Sequence, residues 1–213
     1  RVMPQLLRVR AARTPPTAAP CVLTEDCALA ATVFALCGRR LGEARYIQLA
    51  QRAVGALTAL SPGLPPSYTP VSALNAQLTC GAGAALALAL LTLGQDEALY
   101  AYRESGLRLL GAALHLFIAP NGMPMHTPQD SAAFFPRILA IFDSELPSPA
   151  ALLLHALALA DGFRPEAGYR EAAHTLWAAA APYARQQPLA CAGLIDAASF
   201  TLSGSPEAQT RPQ

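Results

Sequence analysis

The sequence predicts an all-α protein built from helical hairpins, and three observations carry that prediction. Ala and Leu dominate a chain that is 53% hydrophobic and only 7% aromatic, a composition suited to closely packed helices. Apolar residues recur at three- and four-residue spacing along most of the 213 residues. One phrase is also used three times: Glu43-Ala44-Arg45-Tyr46, Glu97-Ala98-Leu99-Tyr100 and Glu166-Ala167-Gly168-Tyr169. Each copy follows an Ala/Leu-rich run ending in Gly42, Gly94 or Gly162, and each opens another run of helical period. Half of the six tyrosines fall in this phrase, so it marks an internal repeat of helix pairs.

Residues 1–23 contain Pro4, Pro15, Pro16 and Pro20 and show no sustained period, so they read as an irregular segment with a short helix around Gln5 to Arg10. The helical region spans 24–203. Thr24 fits an N-cap, with Glu25 and Asp26 in the first turn where they favour the helix dipole. Leu29, Val33, Leu36 and Cys37 carry that helix to Gly38 or Gly42. A second helix runs from about Glu43 to Leu60 and stops at Ser61-Pro62-Gly63. A third begins near Ser72 and ends at Leu93, with Gly94 expected in the left-handed position, and a fourth follows from about Asp96 to Phe117. Pro120-Asn121-Gly122 is a turn, after which Met123–Thr127 and Phe134–Phe142 can pair as a short β-hairpin within 122–142. Ser148-Pro149 places a cap before a first-turn proline. Helices follow to Ala160, from Pro165 to Ala181 where Pro182 should end or bend the chain, and from Pro188 to Leu202. Residues 204–213 read as a frayed tail.

The connections alternate in length. Turns inside each repeat are a few residues long, whereas those between repeats, 61–71 and 118–148, are long and proline-rich. Short-turn pairs run antiparallel, so the long loops collect at one end of the assembly. That end carries residues 14–26, 61–75, 118–148 and 182–188, and long loops on a helical scaffold are where sites form.

Composition narrows the function. A formal net charge of +1 with 14% charged residues does not supply a nucleic-acid groove, which needs clustered Lys/Arg. The uncharged stretch Thr69–Gln95 is diluted by Asn75, Gln77, Thr79, Gly81 and Gly83, so it suits a helix buried in a protein core better than a membrane span. Five scattered cysteines with no Cys-x-x-Cys pair read as reduced, buried groups, which favours a cytoplasmic setting. No spacing of Cys and His fits a metal, and no phosphate-binding glycine loop or Gly-x-Ser-x-Gly elbow is present, so no cofactor and no metal are expected. Arg1 is not an initiator Met, which suggests a piece of a longer chain.

The candidates for chemistry are few. His155 lies within Leu152-Leu153-Leu154-His155-Ala156 and reads as a core histidine, as do His115 and His174 in their helical runs. His126, in the long loop beside Met125 and Thr127, is the histidine placed where a pocket would be. Asp143 and Glu145 end that loop and are the candidate acid/base carboxylates, although residues two apart point in different directions and Asp143 also suits a turn or cap.

The order of features resembles the C-terminal helical region of the thioredoxin-domain-containing DUF255 proteins, the spermatogenesis-associated protein 20 family. The phrases that carry it are Val22-Leu23-Thr24 and Leu41-Gly42-Glu43-Ala44-Arg45-Tyr46-Ile47. They continue in Thr127-Pro128-Gln129-Asp130, Phe142-Asp143, Pro147-Ser148, and Gly162 followed by Tyr169-Arg170-Glu171. The resemblance implies an α/α toroid of the six-hairpin glycosidase type, with a thioredoxin-like domain upstream. The departures fall at the long-loop end. Ala19-Pro20-Cys21 stands for an Asp-Asp-Lys stretch, Asp26-Cys27 for a Trp-Asn pair, and Leu78-Thr79-Cys80 for an Asp-Tyr-Ala. Phe142-Asp143-Ser144-Glu145-Leu146-Pro147-Ser148-Pro149-Ala150 stands for Tyr-Asp-Gly-x-x-Pro-Ser-Gly-Asn, so only Asp143 and Ser148 carry over as substrate-binding groups by resemblance.

The expectation is therefore a partial or shortened α/α toroid with a stripped pocket, acting as a non-catalytic scaffold or binding domain. An upstream domain or protein partner would cover its exposed end helices. A carbohydrate-active enzyme with a pocket rebuilt on Asp143, His126 or Glu145 is the second reading, and a generic helical-repeat interaction module the third.

Overall fold

The computed structural model describes residues 2–15, 21–59, 68–70, 79–129 and 137–202. Its helices are α1 (Val2–Ala11), α2 (Thr24–Leu41), α3 (Ala44–Ala59), α4 (Cys80–Leu93), α5 (Tyr100–Phe117), α6 (Pro149–Phe163), α7 (Tyr169–Gln186) and α8 (Ala192–Leu202). Two short strands, β1 (Cys21–Leu23) and β2 (Tyr68–Pro70), pair antiparallel with Val22 opposite Thr69. Single 3-10 turns precede α5, α7 and α8.

The helices form two layers. In the inner layer α2 packs on α4, α4 on α6 and α6 on α8; in the outer layer α3 lies on α2, α5 on α4, and α7 on α6 and α8. Contacts at their N-terminal ends show that all four inner helices start at the same end. The Cys80 N–H opening α4 donates to the His126 carbonyl at 3.0 Å, while the Ala150 N–H opening α6 donates to Ala140 O and the Ala140 N–H to Pro124 O, each at 2.9 Å. Glu25 at the start of α2 rests on Gly81 at the start of α4. Outer helices return the chain, which is the alternation of an α/α toroid followed through an arc. Ala28, Ala31 and Ala35 on α2 let the inner helices approach closely. All fourteen residues of α4 are buried, as expected of a helix apolar on every side.

Several local features differ from the sequence expectation. Residues 1–23 are not irregular throughout, because α1 and β1 lie within them. Leu23 is the N-cap residue of α2 and Thr24 already belongs to the helix, buried in its first turn. Gly94 has φ −70° rather than a left-handed value. Its role is close approach, since a Cβ there would lie 2.5 Å from the backbone nitrogen of Arg103. Gly42 does take the left-handed position, at φ 68°. α6 runs through Gly162 to Phe163, and the left-handed glycine of that turn is Gly168. Pro182 sits exposed inside α7, which continues to Gln186. Among the described residues of the hairpin expected within 122–142, one antiparallel bridge joins Met125 to Leu139, flanked by the His126 N–H to Ile138 O bond at 2.9 Å. Residues 130–136, which include the start of its expected second strand, lie outside the described residues, as do the expected Ser72 cap and the 204–213 tail.

The Glu-Ala-x-Tyr phrases occupy the short-turn end. Tyr46 stacks on Phe34 with ring centroids 6.1 Å apart, and Tyr169 packs against the core. Tyr100 is 59% exposed, and Tyr102 packs in its place. Ion pairs join the same end: Glu97 with Arg103, Glu104 with Arg164, and Asp161 with Arg170, each at 2.7 Å. Among the described residues no helix is long and apolar enough to cross a membrane.

Candidate functional site

The long-loop end holds two polar centres. The first joins α6 and α8. Asp143 Oδ1 accepts the Ser148 N–H at 2.8 Å, Oδ2 accepts the Gly193 N–H at 2.7 Å, and the Asp143 N–H donates to Ala190 O at 2.7 Å. Ser148 is buried, and its Oγ accepts the Ala151 N–H at 3.3 Å as the N-cap of α6. One carboxylate thus ties the starts of two inner helices, satisfying amides that no intrahelical partner reaches. Burial, with the Asp143 carboxylate as a second cause, pushes the adjacent Cys191 thiol up. Glu145 is exposed in the bend before this staple.

The second centre joins α2 and α4, and sequence reasoning missed it. Glu25 is half-buried, with its carboxyl packed on Gly81 so closely that a Cβ there would overlap it. Burial raises the Glu25 pKa, and the neighbouring Asp26 adds to the rise. Cys80 is fully buried beside it, and its thiol is pushed far up by burial first and by Glu25 second, while Arg137 pulls the other way. Arg137 donates from Nε and Nη2 to the Thr127 carbonyl at 3.2 and 2.9 Å. Thr127 Oγ1 is buried and has no hydrogen-bond partner among the described residues. His126 adjoins this centre through its backbone, its carbonyl accepting the Cys80 N–H, and its half-buried imidazole is biased to the neutral form by burial.

The structure therefore separates the expected site residues. Asp143 and Ser148 share the first centre, His126 belongs to the second, and Glu145 joins neither. Thr24-Glu25-Asp26 looked like an ordinary first turn, and only the approach of Gly81 makes Glu25 half-buried. The other histidines divide: His155 packs edge-on against Phe200 with its pKa lowered by burial, whereas His115 and His174 are exposed on outer helices. Among the described residues no group of three or more His, Cys, Asp or Glu could hold a metal ion.

The two-layer arc has counterparts among solved structures. A family 76 glycoside hydrolase, an α-mannanase from Bacteroides thetaiotaomicron, superposes with a TM-score of 0.62 at 11% identity, over 89% of this chain and 54% of its own. A family 76 α-1,6-mannanase from a Salegentibacter species gives 0.54 at 13% identity, over 84% of this chain and 51% of its own. An inactive variant of the latter, with two consecutive aspartates replaced by alanine and α-1,6-mannotetraose bound, gives 0.53 at 15% identity. These likenesses show the fold, the α/α toroid, and the chain spans about half the length of the structures it matches. No protein-family model and no curated protein sequence matches the chain.

Proposed function

We propose that this chain is a non-catalytic α/α-toroid domain that binds carbohydrate at its long-loop end. One observation carries the non-catalytic part: both oxygens of Asp143 are engaged by backbone amides of α6 and α8. A carboxylate so engaged holds helices rather than moving protons. The binding part rests on Glu25, Arg137, Thr127 and His126, a mixed set of donors and acceptors suited to hydroxyl groups. The DUF255-type relationship and an upstream thioredoxin-like domain belong to this proposal and rest on the sequence phrases.

A second reading is favoured by Glu25. Its half-buried carboxyl, packed on Gly81 at the long-loop end and held toward the protonated form by burial, suits a general acid, which would make the domain a glycosidase of altered site. Titration calorimetry and product analysis with α-1,6-mannooligosaccharides separate the two. Binding without hydrolysis, lost in Glu25→Gln and Arg137→Ala and kept in Asp143→Asn, supports the proposal. Hydrolysis lost in Glu25→Gln would establish the second reading, and neither binding nor hydrolysis would refute both.

A further inference from the structure

Helix α1 has no buried residue, and residues 2–15 are exposed throughout. It nevertheless carries an apolar face: Val2, Leu6 and Val9 recur at helical spacing with Met3 and Leu7 beside them, each 56–65% exposed. An apolar face of this kind left in water calls for a cover. The described part of the same chain holds a matching uncovered surface. The outward stripe of α2 is apolar, with Val33 57% and Leu36 44% exposed, beside exposed Ala30. Connectivity relates the two, because from α3 onward outer and inner helices alternate and α1 precedes an inner helix.

We propose that α1 folds back onto the apolar stripe of α2 in its own chain, taking the outer-layer place before α2 that α3 takes before α4. Charge sets the direction. An antiparallel α1 brings Arg10 and Arg13, near its C-terminal end, to Glu25 and Asp26 at the start of α2, and residues 1–23 contain no acidic residue to oppose this. Length permits it: the nine residues 12–20 reach about 30 Å when extended. An antiparallel return has to cross only the ~8–10 Å between packed helix axes.

Hydrogen exchange on the full chain, with Val33→Glu, Leu6→Asp and the double variant, tests this. Both positions are exposed in the undocked arrangement, so neither change perturbs the core. Docking predicts protected amides in residues 5–11, a loss of protection of at least about tenfold in either single variant, and no further loss in the double variant. Unprotected amides in the parent chain, or protection indifferent to Val33→Glu, would overturn the proposal. Protection that rises with concentration alongside a doubled mass in light scattering would overturn it too, assigning the stripe to a second copy.

Discussion

Asp143 offers the sharpest test of how the arc is held together. Asp143→Ala removes two acceptors at once, leaving the Ser148 and Gly193 amides without partners at 2.8 and 2.7 Å. A hydrogen bond to a charged group contributes about 1.5–3 kcal/mol. Two of them at a half-buried site, discounted for water that can replace part of the interaction, amount to about 3 kcal/mol. For a chain of this size that lowers Tm by about 6–12 °C. Asp143→Asn keeps one acceptor but turns an amide donor toward the other N–H, so about half of the loss is expected. Thermal unfolding followed by circular dichroism, with urea titration for the free energy, gives both quantities. Unfolding of Asp143→Ala within about 0.5 kcal/mol of the parent would refute the staple, since surface changes alone stay in that range.

Acid should weaken the fold through its histidines. His126 and His155 have pKa values lowered by burial from 6.5, so below that pH the unfolded chain takes up protons that the folded chain refuses. Their stability contribution is present above pH 6.5 and falls as the pH drops toward the folded values; urea midpoints at pH 7.5 and 5.0 should show a smaller loss in His155→Gln. Glu25 acts in the opposite sense: its pKa is raised from 4.5, so its contribution is present below that pH and is lost as the pH rises through the folded value. Glu25→Gln should therefore gain stability relative to the parent at pH 7.5 and little at pH 4. Two glycines should respond with opposite signs in thermal melts. Gly94→Ala meets the Arg103 backbone and should cost about 2 kcal/mol, whereas Gly55→Ala, in α3 with nothing within 4 Å, should gain about 0.5–1 kcal/mol.

The helices were legible because Ala/Leu runs at helical period leave little alternative, and the short turns because Glu-Ala-x-Tyr repeats. The pairing of β1 with β2 was not, since Cys21–Leu23 and Tyr68–Pro70 are distant in sequence and carry no alternation. Gly94 misled in an instructive way: a glycine after an apolar run fits a left-handed cap, but here it yields space to the Arg103 backbone one helix later. Proximity likewise decided the site. Sequence order put Asp143 and His126 in one loop, yet that loop runs past the starts of α4 and α6 and delivers them to different helix pairs. Glu25 and Arg137 are 112 positions apart in the numbering, and only the parallel start of α2 and α4 brings them to the same buried thiol.

The apolar character of α4 also decides where a ligand can sit. An inner helix facing a sugar-filled lumen would show polar side chains along one stripe, whereas from Cys80 to Leu93 its only polar side chains are the buried Cys80 thiol and the Thr92 hydroxyl. Thr92 spends its hydroxyl on the Leu88 carbonyl of its own helix, at 2.7 Å. The middle of the described arc is thus packed with Ala and Leu, and desolvating sugar hydroxyls against it would leave them without partners. On the proposed carbohydrate-binding reading, polar recognition falls to the rim, where inner-helix N-termini supply partial positive charge and the loops supply Arg137, His126 and Thr127. The repeated glutamates stand at the opposite end, in the short turns and their surface ion pairs. Repetition in this chain follows the needs of the hairpin, and the residues suited to binding are those that occur once.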